Sequence, residues 1–309
     1  MAIITPDKGK EILLQQQFLS DYSASDHTQE KFKGNSEFVL RFFTNDFALD
    51  EDTVLANFTE ASGTWYASHT LSDTPVITLD ATTGEAIATY ADATWEFDGD
   101  GDDTIYGYYV EFWHPGGGKE VVWAEKFSGP VVFTTPGQEV AFAPTFRMKW
   151  SGSGELVFVD EGMVFLATKL FASDTSLFAT GNICLTNYTN AALTPSRSTV
   201  LTDMVYATTP GMEAFFYDAG PTPGSPGLAS VLNLTSGHVA SITLPEAIFE
   251  RGAGSPTETV YGYFFHDGAG TYVGGQTLIF VRQYQSGPYE VLVPGFKIKV
   301  QPTITLKQY

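Results

Sequence analysis

The run TIYGYYV at residues 104–110 is written again, almost unchanged, as TVYGYFF at residues 259–265. A chain that repeats itself is built from repeated units that bury their apolar faces in the same way, so this feature constrains the fold more than any other. The surroundings repeat as well. VVWAEKFSGP and PGQEVAFAPTFRMK follow the first run, and LIFVRQYQSGP and PGFKIKVQPTITLK follow the second. From Ser128, Gly129 and Pro130 to Ser286, Gly287 and Pro288 the offset is 158, and it holds for Pro136/Pro294, Gly137/Gly295, Pro144/Pro302 and Lys149/Lys307. Upstream, Gly9, Leu13, Phe18, Ser20 and Asp21 match Gly162, Leu166, Phe171, Ser173 and Asp174 at an offset of 153. Thr44 and Asn45 are matched to Thr186 and Asn187, and Thr53, Val54 and Leu55 to Thr199, Val200 and Leu201. Tyr106/Tyr261, Gly107/Gly262 and Phe127/Tyr284 are expected in equivalent places, with each glycine admitting a close backbone or ring.

The repeat divides the chain into residues 1–150, a linker at 151–159 and residues 160–309, which suits a length of 309 residues. Each copy opens on a helical pattern, GKEILLQQQFLSD in the first and GMVFLATKLFASD in the second. Ile12, Leu13, Phe18 and Leu19 fall on one face, with acidic residues near the start. The period then changes to two. FVLRFF, TWYASHTL, ATYADATWEF, TIYGYYVEFW, EVVWAEKF and QEVAFAPTFRMK are rich in β-branched and aromatic residues, and turn signals separate them. FVLRFF is expected to be buried on both faces, whereas KIKVQPTITLK alternates and is expected to keep one face wet. The predicted fold is all-β: two tandem antiparallel β-sandwich domains, jelly-roll or Ig-like, each preceded by a short α-helix.

Charge narrows the function. Lys and Arg number 16 against 36 Asp and Glu, which argues against a nucleic-acid face. The first half, to residue 159, holds 25 acidic and 9 basic residues, and the second holds 11 and 7. The second half, with the uncharged opening MAIITP, is therefore the expected docking side, because interface centres are depleted of charge. Cys184 is the only cysteine, so no intrachain disulfide forms, and its run NICLTN marks it as a small core residue. No signal peptide and no apolar stretch of membrane-spanning length is found, so a soluble protein made in the cytosol, with no membrane partner, is expected.

Few residues suggest chemistry. In DGDGDD, Asp98, Asp100, Asp102 and Asp103 are spaced to surround a hard cation such as Ca²⁺, yet the glycine and glutamate of an EF-hand loop are missing. The second copy has RGAGSPTE there, so a solvated hairpin turn is the stronger reading and no metal or cofactor is expected. His27, His69, His114, His238 and His266 lack zinc-site spacing, though His114 and His266 both follow the repeated YGY strand. Trp65, Tyr66, Trp95 and Trp123 are expected in the core. Trp113, at the edge of the WHPGGG turn, is the candidate exposed aromatic for a glycan or an interface. No nucleophile, zinc-protease or phosphate-binding motif occurs. Sequons at Asn57, Asn187 and Asn233 are short enough to arise by chance.

The order LRFFTN, TVLANFTEA, TIYGYYV and WAEKF, closed by a P-led strand, resembles small virion proteins of tailed bacteriophages. The resemblance spans residues 1–150 and, more loosely, 160–309, where LTNYTN, TDMVYA and FVRQYQ depart from it. It implies sandwich domains that decorate or cement a capsid. The expected function is thus a virion structural protein and not an enzyme, assembled in the host cytoplasm and bound to the major capsid protein or other virion proteins. A homo-oligomer is expected, and a trimer suits the three-fold axes of capsids and spikes. The alternative is a tail fibre, a spike or a carbohydrate-binding host-recognition module, with a glycan hydrolase third.

Overall fold

The structure is a computed structural model that describes residues 2–6, 9–10, 13, 38–113, 119–152, 156–171, 183–207, 213–216, 231–235, 239–244, 246–253, 256–267 and 276–307. The first repeat contributes β1 (Ala2–Ile4), β2 (Phe38–Phe43), β3 (His69–Thr70), β4 (Val76–Leu79), β5 (Ala86–Thr89), β6 (Ala93–Glu96), β7 (Thr104–Trp113), β8 (Lys119–Val132), β9 (Glu139–Phe142) and β10 (Thr145–Gly152). The second begins with β11 (Leu156–Phe158), helix α1 (Asp160–Phe171), β12 (Ile183–Tyr188), β13 (Glu213–Phe216), β14 (Val231–Thr235) and β15 (Val239–Thr243). It continues with β16 (Ala247–Glu250), β17 (Glu258–Val260), β18 (Gly262–Asp267), β19 (Leu278–Gln283), β20 (Tyr289–Val291), β21 (Lys297–Val300) and β22 (Thr303–Lys307). Every described ladder is antiparallel and the chain is all-β.

The strand orders repeat. One five-stranded sheet runs β1-β8-β7-β2-β3 and the other β11-β19-β18-β12-β13. Gly107 pairs with Phe43 and Gly262 with Tyr188, so β2 and β12 match at an offset of 145. The YGY glycines sit where a side chain has no room. A Cβ on Gly107 would lie 2.1 Å from the Glu125 carbonyl oxygen and 2.7 Å from the Phe43 ring. On Gly262 it would lie 2.1 Å from the Arg282 carbonyl oxygen and 2.6 Å from the Tyr188 ring.

The ladder corrects one match. Thr44 and Asn45 correspond to Thr189 and Asn190, three residues beyond Thr186 and Asn187. Asn45 Nδ2 donates to the Asn57 carbonyl and Asn190 Nδ2 to the Asp203 carbonyl, both at 2.8 Å. Thr53, Val54 and Leu55 do correspond to Thr199, Val200 and Leu201, each group leading into a 3₁₀ turn. The Val54 N–H donates to Asn57 Oδ1 and the Val200 N–H to Asp203 Oδ2.

The seam also differs from expectation. Ser151 and Gly152 belong to β10 and Leu156–Phe158 form β11, so most of the expected linker is strand. Strand β10 pairs with β22 and completes a six-stranded sheet of order β14-β15-β22-β10-β5-β4. That order is palindromic, since β4, β5 and β10 correspond to β14, β15 and β22 through their pairings. Lys149 stands opposite Lys307, its own counterpart, which places a pseudo-two-fold axis at the seam. Helix α1 crosses that seam and lies against β19 of its own repeat and against β4 and β5 of the other. Asp160 and Glu161 complement the partial positive charge of its first turn, and Met163, Leu166 and Ala167 are buried. One hydrophobic cluster accordingly joins Leu166 and Phe280 to Ala88, Trp123 and Phe146.

Two further expectations change. Each repeat opens on a strand before its helix: Ala2–Ile4 pair with β8, and Thr5 and Pro6 are buried. In the first repeat Gly9, Lys10 and Leu13 are helical, while Ile12, Phe18 and Leu19 lie outside the described residues. Within TWYASHTL only His69 and Thr70 form a strand, because Trp65 turns inward to meet Phe133 at 5.0 Å. FVLRFF buries Phe42 against Trp95 on one face and Phe43 against Phe58 on the other. β21 alternates exposed Lys297 and Lys299 with buried Ile298 and Val300.

Candidate functional site

The acidic loop is held by hydrogen bonds from its neighbours. Thr64 Oγ1 donates to Asp98 Oδ2 at 2.5 Å, and the Asp100 N–H donates to Asp98 Oδ1 at 3.0 Å. The Thr64 hydroxyl, then the Asp100 amide, holds the Asp98 carboxyl below its ordinary range. Asp102 Oδ2 accepts from the Ser62 N–H at 2.6 Å and the Ser62 hydroxyl at 2.8 Å, while Asp103 accepts from Thr104 Oγ1 at 3.0 Å. Gly99 and Gly101, at φ 97° and 81°, let the turn reverse against residues 62–64. Among the described residues no group of three or more His, Cys, Asp or Glu side chains is arranged around a metal position.

Trp113 ends β7 opposite Lys119, and its side chain lies outside the described residues. Trp65, Trp95, Trp123 and Trp150 are buried. His27, His114 and His238 also lie outside the described residues. His266 stands opposite Cys184, as Glu111 stands opposite Val39, so its counterpart in the first repeat is Glu111 and not His114.

At that shared position the repeats have taken opposite chemistry. In the first, buried Glu111 meets Arg41 Nε at 2.8 Å and Lys119 Nζ at 3.0 Å. Arg41 also pairs with Glu60, which accepts the Tyr66 hydroxyl at 2.9 Å. In the second, Cys184 Sγ lies 3.3 Å from Thr186 Oγ1, which lies 3.2 Å from His266 Nε2. Burial pushes the His266 pKa down, so the ring stays neutral, and no solvent reaches this thiol or imidazole. Both clusters tie strands together.

An open cleft of about 230 Å³ occurs only a strand away, in the second repeat. Tyr263 on β18 and Arg282 on β19 face each other in the ladder, and Arg282 Nη1 approaches the Tyr263 hydroxyl at 3.4 Å. Tyr284 donates to Asn187 Oδ1 at 2.5 Å, and the Ser286 and Tyr289 hydroxyls lie 2.8 Å apart. The Tyr284 ring stands 5.9 Å from that of Tyr263 and 4.9 Å from that of Tyr289. Burial pushes the Tyr263 and Tyr284 pKa values up, so both phenols stay protonated at neutral pH. Ile298, Lys299 and Val300 of β21 and Gln301 form the other wall.

The first repeat places a ring there. Phe142, the counterpart of Val300, fills the place and stacks on Tyr108 at 4.8 Å. It also meets Trp95 and Phe42, whose counterparts are Phe249 and Asn187. Glu125 occupies the position of Arg282 and accepts the Tyr108 hydroxyl at 2.6 Å. Smaller and more polar side chains thus open the cleft and reverse the charge of its floor. None of these residues was expected as a site, although aligning EVAFAP with KIKVQP shows the lost ring.

No family model, curated protein or solved structure matches the chain.

Proposed function

We propose that the chain is a structural protein of a tailed-phage particle, a decoration or cement protein that acts by surface complementarity and not by chemistry. The observation that carries this reading is the palindromic six-stranded sheet, in which the β10–β22 ladder joins the two repeats in one continuous sheet. The motif order LRFFTN, TVLANFTEA, TIYGYYV and WAEKF supports it by resemblance. The less acidic second repeat, with a net charge of −4 against −16, is the docking side in this proposal. A stable bridge between shell subunits needs roughly 1,200 Å² of interface or more.

Imaging of purified particles tests this, with counting of the chain by quantitative mass spectrometry. Copy numbers matching the capsid lattice support cementing; a handful of copies per particle removes it and leaves a tail position. Cross-links from the shell should concentrate on Lys297 and Lys299, which are exposed on β21 and held by Glu250 and Glu246. Concentration on Lys119 and Lys126 would reverse the orientation.

A further inference from the structure

We propose that the cleft between Tyr263, Arg282, Tyr284, Tyr289 and Val300 binds an acidic sugar residue, its carboxylate on Arg282 and its ring and hydroxyls against the tyrosines, Ser286 and Gln301. This inference does not rest on the particle reading.

Arg282 is half-buried and bonded to a neutral phenol at a long 3.4 Å, and among the described residues no carboxylate pairs with it. A half-buried guanidinium gains most from a partner that fills its fork, and a carboxylate fills it in a bidentate way. Lys299 is already neutralised by Glu246 at 2.8 Å, which leaves Arg282 as the cleft's unmatched cation. The first repeat carries Glu125 here, so the charge belongs to the second repeat alone and not to the needs of the fold.

Size and surface decide the rest. At about 230 Å³ the cleft falls below the roughly 300–1,000 Å³ of sites for drug-sized ligands, so one small ring is accommodated. Tyrosine offers an apolar face and a polar tip, and Ser286, Gln283, Gln285 and Gln301 add donors and acceptors. A hydroxyl-rich ring bearing one carboxylate matches that set. A bare anion leaves the tyrosines unused, and a neutral sugar leaves Arg282 unmatched.

The test is calorimetric titration of the full chain with glucuronate, glucose, inorganic phosphate and an oligogalacturonide. Glucuronate and the oligouronide should bind, with glucose about tenfold weaker or worse, as expected when a charge-assisted hydrogen bond is lost. A tighter oligouronide identifies a polysaccharide as the source, and equal affinity identifies the free sugar acid. Arg282→Gln should weaken glucuronate by about tenfold, with partial recovery in Arg282→Lys. Val300→Phe should abolish binding by restoring the ring of the first repeat. Equal affinity for glucose, equal affinity for phosphate, unchanged binding in Arg282→Gln, or no binding at tens of millimolar glucuronate would each overturn the proposal. Should Val300→Phe fail to fold, the Arg282 pair still decides.

Discussion

Gly107 and Gly262 are where single atoms matter most. A methyl group at either would press on a carbonyl oxygen of the neighbouring strand at 2.1 Å, and a backbone in a paired sheet cannot move aside cheaply. Gly107→Ala and Gly262→Ala are each expected to lose about 1–3 kcal/mol in urea unfolding. Gly129→Ala, with nothing within 4 Å of its Cβ, should be neutral or slightly stabilising. His266 gives a second prediction. Its folded pKa lies below the ordinary 6.5, chiefly through burial, so on acidification the unfolded chain takes up a proton before the folded one does. The associated stability is therefore complete above about pH 6.5 and is lost as pH falls through and below that value. Between about pH 7.5 and pH 5.5, where carboxylates titrate little, the urea midpoint should fall, and His266→Gln should flatten that slope. An unchanged slope would show that the imidazole is as easily charged in the folded state.

Among the elements, the turn at 98–103 and the loop at 62–64 are joined through Asp102, which accepts two hydrogen bonds from Ser62. Asp102→Ala should cost about 1 kcal/mol, whereas Asp103→Ala, whose partner is the adjacent Thr104, should change thermal stability little. A chelator should leave the melting temperature of the native chain unchanged; a drop would mean that these carboxylates hold a cation. Legibility at this scale depended on how local the signal was. β7 was readable to its ends because TIYGYYVEFW is dense in strand formers and is flanked in the sequence by Asp103 and by the Pro- and Gly-rich run PGGG. β1 and β11 were missed because three residues carry no period, and the strand in TWYASHTL shrank because Trp65 is needed in the core. ICLTNYTN holds two Thr-Asn pairs, and only the ladder selects the second. The cleft escaped notice because its residues are ordinary strand formers; it exists through the absence of a ring, and an absence has no motif.

For the molecule as a whole, the shared sheet and core imply that neither half melts alone. Calorimetry should show one transition whose calorimetric and van't Hoff enthalpies agree, and two resolved peaks would mean that the β10–β22 seam is weak. Its midpoint should not vary with protein concentration, because both sides of the seam lie on one chain. A dimer of identical chains would differ in more than its mass action. There, every substitution appears twice and must be tolerated by both protomers at once, so a glutamate at one floor means a glutamate at the other. With Lys149 meeting its counterpart inside a single polypeptide, that obligation lapses. One half can keep Phe142 as ballast while the other gives up its ring and turns an acid into Arg282, and the scaffold that holds them stays symmetric.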